Sequence, residues 1–308
     1  MDNKKTITLF NYIGGKSWLR IKLREEISKI LNNNKINTYV EPFAGSLGAF
    51  LSVYDILLSK KIKTVILSDI NGKLINFYNV VKNHHENLIQ EYMLIEREYK
   101  KLIPKEAYCL HKTKDKADLK ILLKETELYY KSIRDSFNKQ NSEIISAAKL
   151  LFLQNHCFNG IYRENSTGGY NTPFNWEVKI YTEEKIREKV LSVYSIFNLF
   201  DISFVNKSFL DIEYNENSLY YLDPPYINEE VGENKYNKDI FTVEQQILLI
   251  NKIKNTTFVY SNHKSKILEK EFLKLENINT KEISRKNIMS SNKDSRKEDK
   301  IELLINTR

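Results

Sequence analysis

The run TYVEPFAGSLGAFLSVYDILLSKKIKTVILSDIN, residues 38–71, decides the fold. TYVEPFAG (38–45) reads as a short buried strand running into a turn, and LGAFLSVYDILLSKK as a helix. KTVILSDIN (63–71) reads as a second strand, and KLINFYNVVKNH follows as another helix. Strand, helix, strand, helix implies a parallel α/β sheet with right-handed crossovers. Upstream, KSWLRIKLREEISKILN (16–32) has apolar residues at 18, 19, 23, 27, 30 and 31, the spacing of an amphipathic helix.

Beyond residue 81 the pattern changes. Through residue 157 the apolar spacing is helical and strand signals are missing. In FNGIYRENSTGGYNTPF (158–174), Gly, Asn and Ser then crowd between aromatic residues, as in a hairpin or ordered loop. Strand patterns resume at ISFVNKSF (202–209), SLYYLDPPY (218–226), TTFVYSNH (256–263) and IELLINT (301–307). The organisation expected is a Rossmann-like α/β domain built from residues 1–81 and 180–308. A mostly helical module, residues 82–179, interrupts it and contains the hairpin.

The chain holds 9 Gly and 5 Pro in 308 residues, where average usage gives roughly 35 such residues together. Such a chain is neither collagenous nor a flexible linker. Cys109 and Cys157 cannot build a disulfide framework, and no Cys or His spacing suggests a metal. No apolar run is long enough to span a bilayer, and MDNKKTITLF has no signal-peptide core. A cytoplasmic protein without a membrane partner is expected. The formal net charge is +8, with eight Lys/Arg against three Asp/Glu in residues 1–40 and seven against four in 281–300. That balance favours a polyanion such as nucleic acid, although an AT-rich genome can also enrich a chain in lysine.

Two stretches carry chemistry. EPFAGSLG (41–48) follows a strand and opens a helix, so Gly45 and Gly48 can turn the backbone sharply and let a ligand approach. Asp69 ends the next strand, where a carboxylate can accept ribose hydroxyls. This pair points to a nucleoside-containing cofactor, and nicotinamide and flavin enzymes share it. A structural turn with a capping Asp would read the same way.

DPPY (223–226) follows the apolar strand SLYYL. Its two prolines remove two backbone N–H groups and lock the turn, so Asp223 and the Pro224 carbonyl become acceptors without a local donor. An exocyclic amine is a poor nucleophile because its lone pair conjugates with the ring. Two acceptors on its N–H bonds would free that lone pair, and Tyr226 would stack on the ring.

In order, FNYIGGKSWL, VEPFAGSLGAF, LSDINGKLINFYNVVK, FNGIYRENSTGGYNTPF, YYLDPPY, FTVEQQ, VYSNH and SSNKDSRKEDKIELL resemble the motifs of the Dam-type (α-group) DNA adenine-N6 methyltransferases. The resemblance runs from about residue 9 to 307 and is weakest across 84–145. It implies S-adenosylmethionine as methyl donor and adenine in double-stranded DNA as acceptor. It marks Asp223, Pro224, Pro225 and Tyr226 as the catalytic loop. Tyr12, Gly14 and Lys16 match the N-terminal cofactor motif, with Lys16 placed for the methionine carboxylate. Pro42, Phe43, Ala44 and Gly45 match the glycine turn and Asp69 the ribose acid, while Ser208 and Phe209 fall where the family lines the cofactor adenine. Asp223 borders the cofactor as well. The helical module becomes a target-recognition domain. There Phe158, Asn159 and Ile161 match positions entering the duplex beside a flipped base, Arg163 a base-reading arginine and Pro173 a position near the DNA.

Departures fall on base-reading positions. Asn11 stands where the family often has Lys, and Asn175 and Trp176 follow TPF where a Gly is usual. GATC is therefore not carried over, and the recognition sequence stays open. Cytosine-C5 methylation needs a thiolate, typically after a proline, and neither Cys109 nor Cys157 follows one. RNA or protein-amide methyltransferases commonly place Asn before PPY, and they lack the 158–174 segment. A catalytically idle DNA-binding protein would not need an intact DPPY. The expected enzyme is a monomer that marks DNA or protects it from a cognate restriction endonuclease without a stable complex, and no metal is expected.

Overall fold

The computed structural model describes residues 8–9, 19–113, 116–139, 141–226, 241–286 and 299–307. Among them, β1 (Thr38–Glu41), β2 (Thr64–Ser68), β3 (Asp201–Val205), β4 (Ser218–Leu222), β5 (Thr257–His263), β6 (Ile278–Lys286) and β7 (Asp299–Thr307) form one sheet in the order β3-β2-β1-β4-β5-β7-β6. The first five strands in that order are parallel. β7 runs antiparallel to both β5 and β6.

The central strands bury both faces, which explains their nearly continuous apolar runs. Tyr39, Leu219, Tyr221 and Leu304 join one core, while Val40, Tyr220, Leu222, Leu303 and Ile305 join another on the opposite face. Successive side chains alternate across the sheet, as the pleat requires. The second core is closed by α10 (Val243–Ile253) and α11 (Lys266–Phe272). The first is closed by α1 (Arg20–Asn33), α2 (Phe50–Ser59), α3 (Gly72–Asn83) and α9 (Glu183–Phe197).

That first core does not stop at the sheet. It continues through α4 (His85–Lys101), α7 (Lys124–Phe137) and α8 (Glu143–His156) to Tyr162, Tyr170 and Phe174. The shorter α5 (Lys105–Thr113) and α6 (Lys116–Leu122) complete the helical stretch. No helix among the described residues is long and apolar enough to cross a membrane.

Two features depart from the sequence reading. β6 had no expected counterpart, because INTKEISRK is rich in charge and puts residues such as Lys281 and Glu282 on the edge of the sheet. Charged residues there block edge-to-edge pairing and hide the strand signal. In the glycine turn, Gly45 adopts the left-handed region (φ 48°), but the second such residue is Leu47 (φ 60°) rather than Gly48.

Candidate active site

The site gathers at the carboxyl ends of β1, β2 and β4. β1 pairs with β2 on one side and with β4 on the other, with Val40 opposite both Ile66 and Tyr220. The chain leaves these neighbouring strands in different directions, which opens a crevice at the switch point of the sheet.

Leaving β1, the chain passes through Pro42, Phe43, Ala44 and Gly45, of which Pro42 and Ala44 are buried. The turn is tied on several sides. Ala44 N donates to Ser68 O at 2.8 Å, and the Tyr78 hydroxyl to Gly45 O at 2.6 Å. Gly45 N donates to Asp69 Oδ2 at 2.8 Å, and Asn71 N to Asp69 Oδ1 at 2.8 Å. Burial raises the Asp69 pKa above the usual carboxylate range, and these two N–H bonds oppose that rise. Each Asp69 oxygen still has acceptor capacity beyond one backbone donor.

Ser208 caps the 3-10 turn Phe209–Asp211, its side chain accepting from Leu210 N. Phe209 lies stacked on Phe43, ring centroids 5.6 Å apart, and Phe241 meets both rings. The structure thus brings together the glycine turn, Asp69, Ser208 and Phe209. Tyr12, Gly14 and Lys16, with Asn11, lie outside the described residues.

Asp223, Pro224, Pro225 and Tyr226 continue directly from β4, with Pro224 buried and the other three half-buried. The Pro224 carbonyl has a donor, though not a local one. Asn262 Nδ2, near the end of β5, reaches it at 3.3 Å and also reaches the Tyr260 hydroxyl at 3.3 Å. A carbonyl has two lone pairs, so one stays available while Asn262 fixes its direction. The Tyr226 hydroxyl donates to Glu302 Oε1 at 3.0 Å.

Glu41, in the quoted motif but not singled out from it, ends β1 fully buried. It accepts the Tyr39 hydroxyl at 2.7 Å and the backbone N–H of Phe50. Burial first, and then the charge of nearby Asp223, push its pKa up to about 8. Glu41, Asn262 and Glu302 share one overlooked signal: a polar side chain inside an otherwise apolar strand.

The 158–174 segment is an ordered, hairpin-like loop. Phe158 N donates to Pro173 O, Asn171 N to Arg163 O and Asn165 N to Gly169 O. Its side chains alternate: Tyr162, Tyr170, Thr172 and Phe174 are buried, whereas Phe158, Asn159, Arg163 and Pro173 are exposed and Ile161 is half-buried. Asn165, Ser166 and Thr167 are exposed as well. Asn159 takes a left-handed backbone (φ 55°), turning the exposed Phe158–Asn159 tip. Arg163 is braced by Asn171, Nε donating to Oδ1 at 2.7 Å and Nη2 to the carbonyl at 3.1 Å. The loop reaches the sheet rim through Lys73, which donates to Gly168 O at 3.0 Å and lies 3.7 Å from Glu164.

Cys157 is buried at the base of this loop, and burial raises its thiol pKa to about 11. It is a small packed hydrophobe rather than a nucleophile. Cys109 is exposed, and both thiols are free.

Residues 12–293 match the family model described as D12 class N6 adenine-specific DNA methyltransferase. The chain belongs to that family. It is an adenine-specific DNA methyltransferase acting at N6. It is 32% identical over 247 residues to the type II methyltransferase M.MjaIII of Methanocaldococcus jannaschii, covering 77% of this chain and 76% of the relative. It is 28% identical over 251 residues to the DNA adenine methylase of Escherichia coli K12, covering 79% and 74%. The Haemophilus influenzae DNA adenine methylase is 28% identical over 267 residues, covering 83% and 79%. A D12-class enzyme requires a methyl donor and DNA, and the crevice between β1 and β4 is its candidate active site.

Proposed function

We propose that this methyltransferase uses S-adenosylmethionine to methylate an adenine that it has flipped out of duplex DNA. The observation that carries this reading is the adjacency of the glycine turn and the Asp223–Tyr226 loop, which leave the paired strands β1 and β4 side by side. A donor bound along the turn and an amine held by the loop would then meet across the crevice.

The residues fit the donor. Gly45 keeps the turn open, Asp69 retains acceptor capacity for a ribose, and the exposed Ile70 beside it offers an apolar face. Ser208 and Phe209 close the adenine end, and Tyr12, Gly14 and Lys16 would complete the methionine end. S-adenosylmethionine, when bound, supplies a methyl group on a positively charged sulfur.

The chain's own residues do the rest. The Asp223 carboxylate and Pro224 carbonyl accept the two amino N–H bonds of the target adenine, and so turn the nitrogen lone pair toward the methyl carbon. Pro225 keeps the turn from relaxing, and Tyr226 stacks on the purine. The contribution is positioning and electrostatics in a preorganised site. Buried walls exclude water from the cofactor side, where Pro42, Ala44 and Phe209 are all buried.

Residues 82–179 serve as the target-recognition module inserted between 1–81 and 180–308. A base inside a duplex is beyond reach, so Phe158, Asn159 and Ile161 fill or flank the gap it leaves. Arg163 has its Nε edge occupied by Asn171, which leaves its outer edge for a bidentate contact to guanine. Pro173 lies beside the DNA. The type II names of relatives support a place in a restriction–modification pair; in this reading the enzyme acts as a monomer and a cognate endonuclease would bind the same site separately.

The test is transfer of a labelled methyl group from S-adenosylmethionine to plasmid DNA, followed by nucleoside analysis. Label in N6-methyladenine is expected. Label in cytosine, or transfer to RNA instead, contradicts the reading.

A further inference from the structure

Glu302 sits in the apolar strand β7 (DKIELLINT) and is 1% exposed. The register of β5 and β7 sets it directly opposite His263. Its two oxygens point to different partners: Oε1 accepts the Tyr226 hydroxyl at 3.0 Å, and Oε2 lies 3.4 Å from His263 Nδ1. The rings of Tyr226 and His263 are themselves 4.0 Å apart between centroids. Tyr226 is therefore held at its tip by the carboxylate and along its ring by the imidazole.

A carboxylate inside a sheet is expensive to bury, and it adds little stability that an apolar residue of similar size would not supply. What it does add is direction. A tyrosine after two prolines has its backbone fixed, but its ring can still turn about χ1 and χ2. A hydrogen bond donated by the hydroxyl to a buried carboxylate selects one ring plane.

We propose that Glu302, with His263, is a positioning residue for Tyr226, fixing the plane on which the target adenine stacks. This rests on the reading of Tyr226 as the stacking platform. The adenine amine must meet the methyl carbon in line, so a ring free to swing would lose rate rather than affinity for the donor.

The experiment is a double-mutant cycle on the full-length enzyme, measured as kcat for labelled methyl transfer to plasmid DNA, with KM for S-adenosylmethionine read alongside. Tyr226→Phe and Glu302→Met are each expected to lower kcat about tenfold, with KM for the donor within about twofold of the native value. In the Tyr226→Phe background, Glu302→Met is expected to cost less than about twofold more, because the bond it would break is already gone. Glu302→Gln keeps an acceptor for the hydroxyl and is expected to recover most of the rate. A double variant as slow as the product of the two single losses overturns the proposal, since Glu302 would then act independently of that hydroxyl.

Should Glu302→Met fail to fold, Glu302→Gln replaces it in the cycle. Its milder loss must vanish in the Tyr226→Phe background, and a loss that persists is again the contrary result. Tyr226→Ala separates the two levels. Unchanged kcat in that variant would overturn the stacking reading itself. A large loss there, with additive Tyr226→Phe and Glu302 effects, would overturn only the positioning role.

Discussion

Two loops rise at the same rim of the molecule, and each is backed by a buried glutamate beside a histidine. Behind residues 158–174 it is Glu96 on α4. Its Oε2 accepts the Tyr92 hydroxyl at 2.9 Å and lies 2.9 Å from His156 Nε2, and its Oε1 accepts the backbone of Tyr181 at 2.9 Å. His156 in turn accepts Asn175 N through its own carbonyl. Glu96 thus ties down the chain on both sides of the loop, at His156 and Tyr181, and none of the loop's exposed side chains. Behind residues 223–226 it is Glu302, which bonds the Tyr226 side chain itself. The contrast matches the two tasks proposed for these loops. Chemistry needs a ring and an acceptor held to a fraction of an ångström, whereas reading DNA needs a firm base with side chains free to meet the duplex.

Replacing Asp223 gives the largest expected effect. Asp223→Ala should lower kcat about a thousandfold while donor binding, measured by calorimetry, changes by no more than about threefold, because preorganised electrostatic groups supply factors of about this size. Tight donor binding with normal methylation would move the chemistry to another loop.

Second comes Glu96→Ala, which should cost about 3–5 kcal/mol in urea unfolding by leaving a buried polar cluster short of a partner. It should weaken DNA binding more than donor binding, because the segments that flank the 158–174 loop, at His156 and Tyr181, are bonded to it. Equal weakening of the two would show that the helical stretch and the crevice stand or fall together.

Glu41 gives a smaller, pH-dependent effect. Its pKa is raised to about 8 in the folded protein, against an ordinary value near 4.3 when unfolded. The folded state therefore holds the proton more tightly, and the stability this confers is complete below about pH 4 and lost as the pH climbs toward 8. Over pH 5–8 the native protein should lose about 1 kcal/mol per pH unit from this group. Glu41→Gln should flatten that slope, and an unchanged slope in urea melts would assign it elsewhere.

Arg163→Ala, last in size, should relax discrimination at one base pair by about 1–3 kcal/mol. Uniform weakening on all sequences would make Arg163 a phosphate contact and remove reading from that face.

Most of this site could be read from the chain because special backbone residues mark it. Gly45, Pro224 and Pro225 announce turns, Asp69 ends a strand, and the 158–174 alternation sorts exposed from buried by itself. A nearly continuous apolar strand such as SLYYL also announces burial on both faces. Glu302 was harder, since its partners Tyr226 and His263 come together with it only when strands distant in sequence pair. β6 was hidden by the charges that protect its edge, and the donor to the Pro224 carbonyl sits on β5, 38 residues further along the chain. FTVEQQ contained a legible helix start: Thr242 and Gln245 form a reciprocal capping box at the head of α10.

The central claim is a division of labour between the two loops. It is tested most directly by mapping N6-methyladenine across the genome of cells lacking other adenine methylation and expressing the native enzyme, Arg163→Ala or Asp223→Ala. The native enzyme is expected to mark one sequence motif, Arg163→Ala the same motif with one position relaxed, and Asp223→Ala none. Methylated adenines in the Asp223→Ala cells, or an unrelaxed motif with Arg163→Ala, would contradict the account.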